Sequence, residues 1–213
     1  MSFEQIFLYG GILVTGYLTG SIPFGYLIGK LHGHDVRKEG SGNIGATNVT
    51  RVVGAKAGKI CFALDFLKGL LPLALLRFGT AHGWFPAAQG GMGEAAMILA
   101  VVLGHMFTIF LHFKGGKGIA TALGAVTAVT PAAAAAAFAV WLVVFEISGY
   151  VSLGSVCAAL ALPFLAWLFA VLKISPLSDG MLIFFAFLAL AAVWKHRANI
   201  RRLRNGTENR FRK

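Results

Sequence analysis

The chain alternates between long stretches of apolar residues and short segments that hold nearly all of its charges. A helix needs about 20 predominantly apolar residues to cross the hydrocarbon core of a bilayer. Three uncharged stretches are about that long or longer, and two further candidates are shorter or interrupted by charge. In chain order, the five are Gln5–Gly29, Ile60–Leu76 with Asp65 and Lys68 inside it, Ala95–Phe113, Ile147–Leu172 and Gly180–Trp194. The pattern predicts an all-α integral membrane protein.

The stretch from Gly118 to Phe145 is long for one span and short for two. Pro131 divides it, and proline inside a helix removes a backbone donor and clashes with the preceding turn. The sequence therefore predicts two short helices here, which brings the expected number of transmembrane helices to seven. We expect residues 1–213 to form a single polytopic membrane domain.

The basic residues predict the orientation of this bundle, because Lys and Arg collect in cytoplasmic loops. With seven spans, the segments 30–59 and 114–118 and the tail 195–213 share one side with sixteen Lys and Arg residues, whereas the other side holds only Arg77 and Lys173. Six spans would place the basic tail outside. We therefore predict an outside N-terminus and a cytoplasmic C-terminus. No positive residue precedes the first apolar run, which is also too long for a cleavable signal peptide, so we expect it to be retained as a span.

Composition narrows the class of protein further. The chain of 213 residues is 57% hydrophobic and 13% charged, whereas soluble domains have about 25% charged residues. The net charge of +11 fits a membrane protein with basic loops better than a nucleic-acid binder, whose basic residues should lie on a soluble fold. Cys61 and Cys157 lie far apart and show no metal-ligand spacing, so neither a disulfide framework nor a zinc site is predicted.

The first unusual polar segment, residues 40–51 with the sequence GSGNIGATNVTR, is called here the first glycine segment. It contains the G-x-G-x-x-G pattern, but no βαβ unit surrounds it, so a dinucleotide site is excluded. Its glycines still let the backbone approach an anion closely, and a helix starting at Ala46 would place Thr47 and Arg51 on one face. The alternative is a flexible polar loop. The candidate binding residues are Gly40, Ser41, Gly42, Asn43, Gly45, Thr47, Asn48 and Arg51.

The second glycine segment comprises residues 113–121, with the sequence FKGGKGIAT. It is not a Walker loop, because Lys117 is followed by glycine. A glycine-rich turn that carries lysines and opens a helix nevertheless suits an anion, since the helix N-terminus adds partial positive charge. The alternative is that Lys114 and Lys117 only anchor the cytoplasmic side of the bundle. The candidate phosphate-binding residues are Gly115, Gly116, Lys117, Gly118 and Thr121.

The C-terminal basic segment comprises residues 196–208, with the sequence HRANIRRLRNGTE. Helical spacing places His196 and Asn199 on one face and Arg197 and Arg201 on another. A basic juxtamembrane helix can alternatively serve only to bind anionic headgroups. That alternative fits the later arginines better than His196 and Asn199, which lie nearest the membrane.

Three more polar residues lie inside predicted spans. Asp65 and Lys68 are three residues apart, so they can pair on one helix face. Intramembrane charges are functional candidates by default, but these two lie near the predicted interface, and simple structural pairing explains them equally well. His105 is interpreted as a core histidine whose hydrogen bonds are satisfied, and the alternative is a site residue.

These segments resemble, closely and in order, the bacterial glycerol-3-phosphate acyltransferases that use acyl phosphate as donor, the PlsY type. The similarity runs from Gly20 nearly to the end of the chain. Thr108 and His112 stand where such proteins often have Pro and Gly, but neither is a proposed catalytic group. The matching text is GSGNIGATNVTR at 40–51, LDFLKG at 64–69, GHMFTIFLHFKGGKGIAT at 104–121 and HRANIRRLRNGTE at 196–208.

The resemblance implies an enzyme of the bacterial inner membrane with its active site facing the cytoplasm. It implies transfer of an acyl group from acyl phosphate to the 1-hydroxyl of sn-glycerol 3-phosphate, giving lysophosphatidic acid and phosphate in the first acylation step of phospholipid synthesis. It implies no cofactor and no nucleic acid, and the partners are the two substrates and membrane lipids. The residues matched to catalysis are Ser41, Lys117, His196 and Asn199.

The residues suit this chemistry, because phosphate is a good leaving group and direct attack by the acceptor hydroxyl needs mainly positioning and charge stabilisation. His196 is the candidate base at neutral pH, but the sequence leaves open whether His196 or a substrate phosphate takes the proton. A transporter for a phosphorylated metabolite is the rival class, although alternating access calls for a midplane site. A scaffold for anionic lipid would explain the tail but not the two glycine segments.

Overall fold

The computed structural model describes residues 2–85 and 91–211, and within these residues the chain is helical with no β-strand. The described part contains α1 Phe3–Ser21, α2 Phe24–Leu31, α3 Ala46–Val52, α4 Ala55–Ala81, α5 Met92–Met106, α6 Ile119–Val129, α7 Pro131–Ser148, α8 Val151–Val171, α9 Asp179–Lys195 and α10 Arg197–Arg204. The all-α class is confirmed. Of the predicted basic tail, Arg212 and Lys213 lie outside the described residues.

Length and apolar character support fewer spans than the seven predicted. A fifth span is added to the four clear ones if α9 and α10, which bend by 58° relative to each other, are counted as one. Helix α4 has 27 residues but carries five charged side chains, and α6 has only 11 residues. Seven spans and the orientation of the termini therefore stay predictions. The four clear candidates are Phe3–Leu31, Met92–Leu111, Pro131–Ser148 and Val151–Val171.

The stretch Gln5–Gly29, expected to be one uninterrupted helix, is divided between α1 and α2 at Ile22 and Pro23. A residue before proline is pushed out of the helical region, and Ile22 accordingly has φ −57° and ψ 116°. The Ile22 carbonyl at this break accepts a hydrogen bond of 2.7 Å from Lys68 Nζ. The break is thereby tied to α4.

Two other boundaries differ from the prediction. The stretch Ala95–Phe113 stops being α-helical at Met106, and a 3₁₀ turn at Ile109–Leu111 follows. His112 and Phe113 then have φ of 52° and 61°, a left-handed conformation in which no helix of L-residues continues. The segment 30–59, expected to be a loop, contains all of α3 and the first turn of α4.

Proline and glycine set the boundaries around α7. The predicted break at Pro131 is confirmed, since α6 ends at Val129 and Pro131 is the first residue of α7, where its missing N–H has no intrahelical partner to lose. The predicted stretch Ile147–Leu172, however, is interrupted at Gly149. This glycine has φ 73° and donates to the Phe145 carbonyl, the usual way in which a left-handed glycine ends a helix.

The described residues form two compact units. The first comprises 2–85 and 93–129, in which α4 packs against α2, α3 and α6. The second comprises 91–92 and 130–211, in which α8 packs against α7 and α9. Both glycine segments belong to the first unit, and the C-terminal basic segment belongs to the second.

Candidate active site

Asn48 holds the first glycine segment in its folded conformation. Its side chain is buried, its Oδ1 accepts from the Ser41 backbone N–H at 2.7 Å, and its Nδ2 donates to the carbonyls of Val36 at 2.8 Å and Glu39 at 3.1 Å. Because these partners are all backbone groups of the same loop, Asn48 sets the shape of the loop. Its predicted contact with substrate stays a prediction.

The loop conformation that Asn48 holds also requires glycine at position 40. Gly40 has a left-handed φ of 61°, and a Cβ on it would overlap Asn48 Oδ1, so no larger residue fits without displacing Asn48. Asn43 Oδ1 accepts from the Gly45 N–H at 2.8 Å, which forms a local turn of the kind that Asn favours. Ser41 lies at the exposed surface of the closed loop.

Helix α3 begins at Ala46 and carries Thr47 and Arg51, which meets the condition under which the sequence places these two residues on one face. The two residues are one turn apart on the same face; Thr47 is half-buried and Arg51 is exposed. Val49, on another face of α3, is fully buried and fixes the helix to the core. A guanidinium on a helix held in this way suits bidentate phosphate binding.

Arg37, just before the first glycine segment, is engaged within the loop. Its guanidinium lies 4.4 Å from the centre of the Tyr26 ring and donates to both carboxylate oxygens of Asp35, at 2.9 and 2.8 Å. These side-chain hydrogen bonds hold the pKa of the Asp35 carboxyl well below its usual range. Arg37 therefore stabilises the loop from which the first glycine segment begins.

The second glycine segment lies on the C-terminal turn of α5. Gly116 N–H donates to the His105 carbonyl at 3.0 Å, and Gly115 N–H donates to the Met106 carbonyl at 3.2 Å. A Cβ on Gly115 would overlap the His105 carbonyl oxygen, and one on Gly116 would overlap the His105 ring. The paired glycines are thus needed for packing on the protein itself, a role that the sequence analysis missed.

The two lysines of this segment differ in exposure. Lys114 is exposed, whereas Lys117 is half-buried and stands two residues before the start of α6. The predicted glycine-rich turn that opens a helix is therefore present, with Gly118 at φ 80°. Thr121, predicted to bind phosphate, is fully buried, and its hydroxyl lies 3.3 Å from His105 Nδ1.

One hydrophobic cluster connects the two glycine segments. It contains Ile44 and Val49 of the first segment and Leu111, two residues before the second segment. Cys61 of α4 completes the contact and is fully buried. The first segment and the turn that leads into the second therefore share one core within the first unit, whereas the expected meeting of all three polar segments stays a prediction.

A buried ionic cluster, consisting of Asp65, Lys68, His105 and Thr121, lies in the same unit. Lys68 Nζ is 2.8 Å from Asp65 Oδ1, which confirms the predicted pairing. His105 Nδ1 is 3.6 Å from the same oxygen. All four side chains are at most 4% exposed, and a buried charge of this kind costs free energy unless it is paired.

His196 lies between α9 and α10 in the second unit and is 2% exposed. Its Nδ1 is 2.8 Å from the Ala192 carbonyl oxygen. A carbonyl oxygen can only accept, so Nδ1 carries the proton, and Nε2 is the basic, accepting nitrogen of the neutral ring. Asn199, in α10, is also buried, and its predicted sharing of a face with His196 stays a prediction.

Glu208 organises the C-terminal basic segment. Its Oε1 accepts from Asn199 Nδ2 at 2.6 Å and from Ser152 Oγ at 2.7 Å, and its Oε2 accepts from Arg202 Nε at 2.7 Å. Burial opposes ionisation of Glu208, but these hydrogen bonds outweigh it and lower the pKa of the carboxyl. A folded-state pKa below the unfolded one means that the stabilisation is present at neutral pH and is lost as the pH falls through the folded pKa.

Sequence analysis missed Ser152 and Glu208. The available signal was that Glu208 is the one acidic residue in the basic tail, which makes it the natural partner for a nearby guanidinium. Ser152 gave no signal, because it lies 56 residues from Glu208 along the chain.

Apolar helices able to span a bilayer, together with two basic glycine segments anchored on one core, define an all-helical membrane protein with glycine-rich loops at helix ends. Comparison with protein families then gives the particular family. Residues 10–206 match the family model described as glycerol-3-phosphate acyltransferase, and the chain belongs to this family of enzymes.

Relatives and solved structures agree over almost the whole chain. The glycerol-3-phosphate acyltransferase of Geobacter sulfurreducens is 44% identical over 94% of this chain and 96% of its own; that of Aquifex aeolicus is 45% identical over 94% and 97%. The crystal structure of PlsY (YgiH), an integral membrane glycerol 3-phosphate acyltransferase, in its glycerol 3-phosphate form has a TM-score of 0.84 and 41% identity, covering 96% of each chain. Its lysophosphatidic acid form has a TM-score of 0.81 and 40% identity, covering 95% of this chain and 94% of that one.

Proposed function

We propose that the protein transfers a fatty acyl group from acyl phosphate to the 1-hydroxyl of sn-glycerol 3-phosphate. The products are 1-acylglycerol 3-phosphate (lysophosphatidic acid) and inorganic phosphate, and the reaction is the first acylation step of phospholipid synthesis. The observation that carries the proposal is the pair of basic glycine segments on one core, since two phosphate-bearing substrates need two adjacent anion sites. Membership of the acyltransferase family and the solved glycerol 3-phosphate and lysophosphatidic acid forms of PlsY support it.

In the proposed reaction the acceptor hydroxyl attacks the acyl carbonyl carbon directly. The new bond joins that carbon to the glycerol oxygen, the bond from the carbon to the phosphate oxygen breaks, and phosphate leaves with the proton of the hydroxyl. Lys117 stabilises the phosphate charge, while the exposed side chains of Ser41 and Arg51 bind the substrate, as oriented donors do when charge develops. His196 and Asn199 act on the acceptor.

The acyl donor can be tested directly. The purified protein in detergent should release one phosphate for each lysophosphatidic acid formed when acyl phosphate and glycerol 3-phosphate are both present. Acyl-CoA and acyl carrier protein thioesters, supplied in parallel, should give no product. Product from either thioester with none from acyl phosphate would refute the proposed donor while leaving the acyltransferase assignment intact.

We further propose seven spans in the bacterial inner membrane, with the N-terminus outside and the glycine segments at the cytoplasmic face. The distribution of sixteen Lys and Arg residues against two supports this orientation. A reporter fused after Lys213 should show cytoplasmic behaviour, and one inserted at Gly83 should show periplasmic behaviour. An insertion at the exposed Gly33 serves as the matched cytoplasmic control. Agreement of the Gly83 and Lys213 reporters would contradict the seven-span topology.

A further inference from the structure

Two members of the buried ionic cluster have partners that explain them without reference to a ligand. Lys68 Nζ donates to the Ile22 carbonyl at the break between α1 and α2, and it lies 5.6 Å from the centre of the Phe24 ring. Asp65 balances its charge at 2.8 Å. This pair would be complete without a histidine beside it, so His105 calls for a separate explanation.

His105 contacts the second glycine segment on both sides of Lys117. Before the lysine, the His105 carbonyl accepts the Gly116 N–H, and the imidazole packs so closely on Gly116 that a Cβ there would overlap Nε2. After the lysine, Thr121 in the first turn of α6 lies within 3.3 Å of His105 Nδ1. The main chain that carries Lys117 is therefore held at both ends by the same residue, His105.

Nδ1 of the imidazole faces two buried groups, the Thr121 hydroxyl at 3.3 Å and Asp65 Oδ1 at 3.6 Å, and these set the orientation of the ring. A lysine side chain is long and flexible, so the point that its ammonium reaches depends on the main chain beneath it. In an enzyme site a displacement of about 1 Å caused by a distant mutation can cost about a hundredfold in rate. A rigid support under Lys117 would therefore affect substrate binding and turnover.

We propose that His105 is a positioning residue for Lys117: held by Asp65 and Thr121, it fixes the second glycine segment so that the lysine ammonium meets the substrate phosphate. The inference rests on the proposed function for the role of Lys117. It adds to the machinery of the site a buried residue that acts through Lys117.

A double-mutant cycle tests the proposal, with kcat/KM as the readout. Lys117→Ala alone should lower kcat/KM by about 10- to 150-fold, as expected for loss of a hydrogen bond to a charged group. His105→Ala alone should lower it by about 10- to 100-fold. Because both changes remove the same interaction, His105→Ala should cost less than about threefold in the Lys117→Ala background. Losses that simply multiply would overturn the proposal.

Two further variants guard against a general loss of folding. Thr121→Val keeps the shape of the side chain but removes the hydroxyl that faces His105, and its smaller loss should likewise vanish in the Lys117→Ala background. Ile98 is fully buried on the same face of α5, seven residues before His105. Ile98→Ala should lower the apparent Tm, and its effect on kcat/KM should be independent of Lys117, so that the fold losses of Ile98→Ala and Lys117→Ala multiply in the double variant. If these losses do not multiply, the cycle reports stability alone and the inference is overturned.

Hydrogen exchange separates this inference from the proposed reaction, because it requires no turnover. The amide hydrogens of Gly115 and Gly116 should exchange faster in His105→Ala than in the wild-type protein, and Ile98→Ala should leave them protected at a temperature where it is folded. If the wild-type protein shows no turnover with acyl phosphate, the proposed function fails while faster exchange still supports the positioning role. Unchanged exchange would overturn the positioning role even in an active enzyme.

Discussion

Replacing His196 by alanine is expected to lower kcat/KM for glycerol 3-phosphate by about 5- to 150-fold, the effect of leaving a buried hydrogen-bonding group without its partner. Nδ1 of His196 is held by the Ala192 carbonyl, so Nε2 is the accepting nitrogen of the neutral ring. A buried acceptor of fixed direction suits the orientation of a substrate hydroxyl. We therefore expect the loss to lie mainly in KM for the acceptor.

The decisive comparison is turnover at saturating acceptor, where a binding defect disappears and a chemical defect persists. His196→Gln, whose amide oxygen also accepts a hydrogen bond, should keep much of the wild-type turnover under these conditions. His82→Ala is the matched control, because His82 is exposed at the end of α4, and it should leave both kcat and KM unchanged.

The opposite outcome has an equally clear meaning. A thousandfold loss of turnover by folded His196→Gln at saturating acceptor lies within the range of about 10²–10⁴ that a general base contributes, and it would assign the proton transfer to His196. A pH profile does not separate the two roles, because a free imidazole and a phosphate monoester titrate in the same pH region.

Replacing Asp65 by alanine is expected to destabilise the protein by about 3–5 kcal/mol, the cost of leaving one member of a buried ion pair alone. Lys68 is 4% exposed and 2.8 Å from Asp65, so its ammonium would lose its counter-charge without gaining water. The measurement is the apparent Tm of the purified protein in detergent, with the recovered fraction of folded protein as a second readout.

Two matched variants show whether charge or shape is responsible. Asp65→Asn keeps the shape and an accepting oxygen, so it should lower Tm less than Asp65→Ala. The double replacement Asp65→Leu with Lys68→Met removes both charges, and apolar replacement of a buried pair is often neutral or stabilising. It should recover most of the lost stability, but not the part that the hydrogen bond from Lys68 to the Ile22 carbonyl contributes. An unchanged Tm for Asp65→Ala would refute the claim that the pair is structurally required.

Much of the candidate site could be predicted from the sequence, because its signals are local. The residues that form the glycine pattern at 40–51 are neighbours in the sequence, and so are those that form the lysine-bearing turn at 114–118. The break at Pro131 also follows from a local rule and is confirmed. The breaks at Pro23 and Gly149 were missed, since no charge interrupts the apolar stretches in which they lie.

Some assignments needed the tertiary structure, because they depend on contacts between residues far apart in the chain. Thr121 meets His105 across 16 residues, Lys68 meets Ile22 across 46, and Ser152 meets Glu208 across 56. No periodicity or motif specifies such contacts, since helix packing decides which faces meet. The same packing explains Gly115 and Gly116, which lie directly against the His105–Met106 turn. From the sequence, these two glycines were expected to make room for an anion.

By itself, the sequence determined the all-α membrane class, the three polar segments and the acyltransferase family, because hydrophobicity, glycine spacing and basic charge are properties of neighbouring residues. Only the tertiary structure decided that Asn48 closes its own loop, that His105 supports the main chain around Lys117, and that Glu208 holds Asn199. The physical reason is that a buried polar group needs a hydrogen-bond partner, and the packing of the helices determines which residue lies close enough to be that partner.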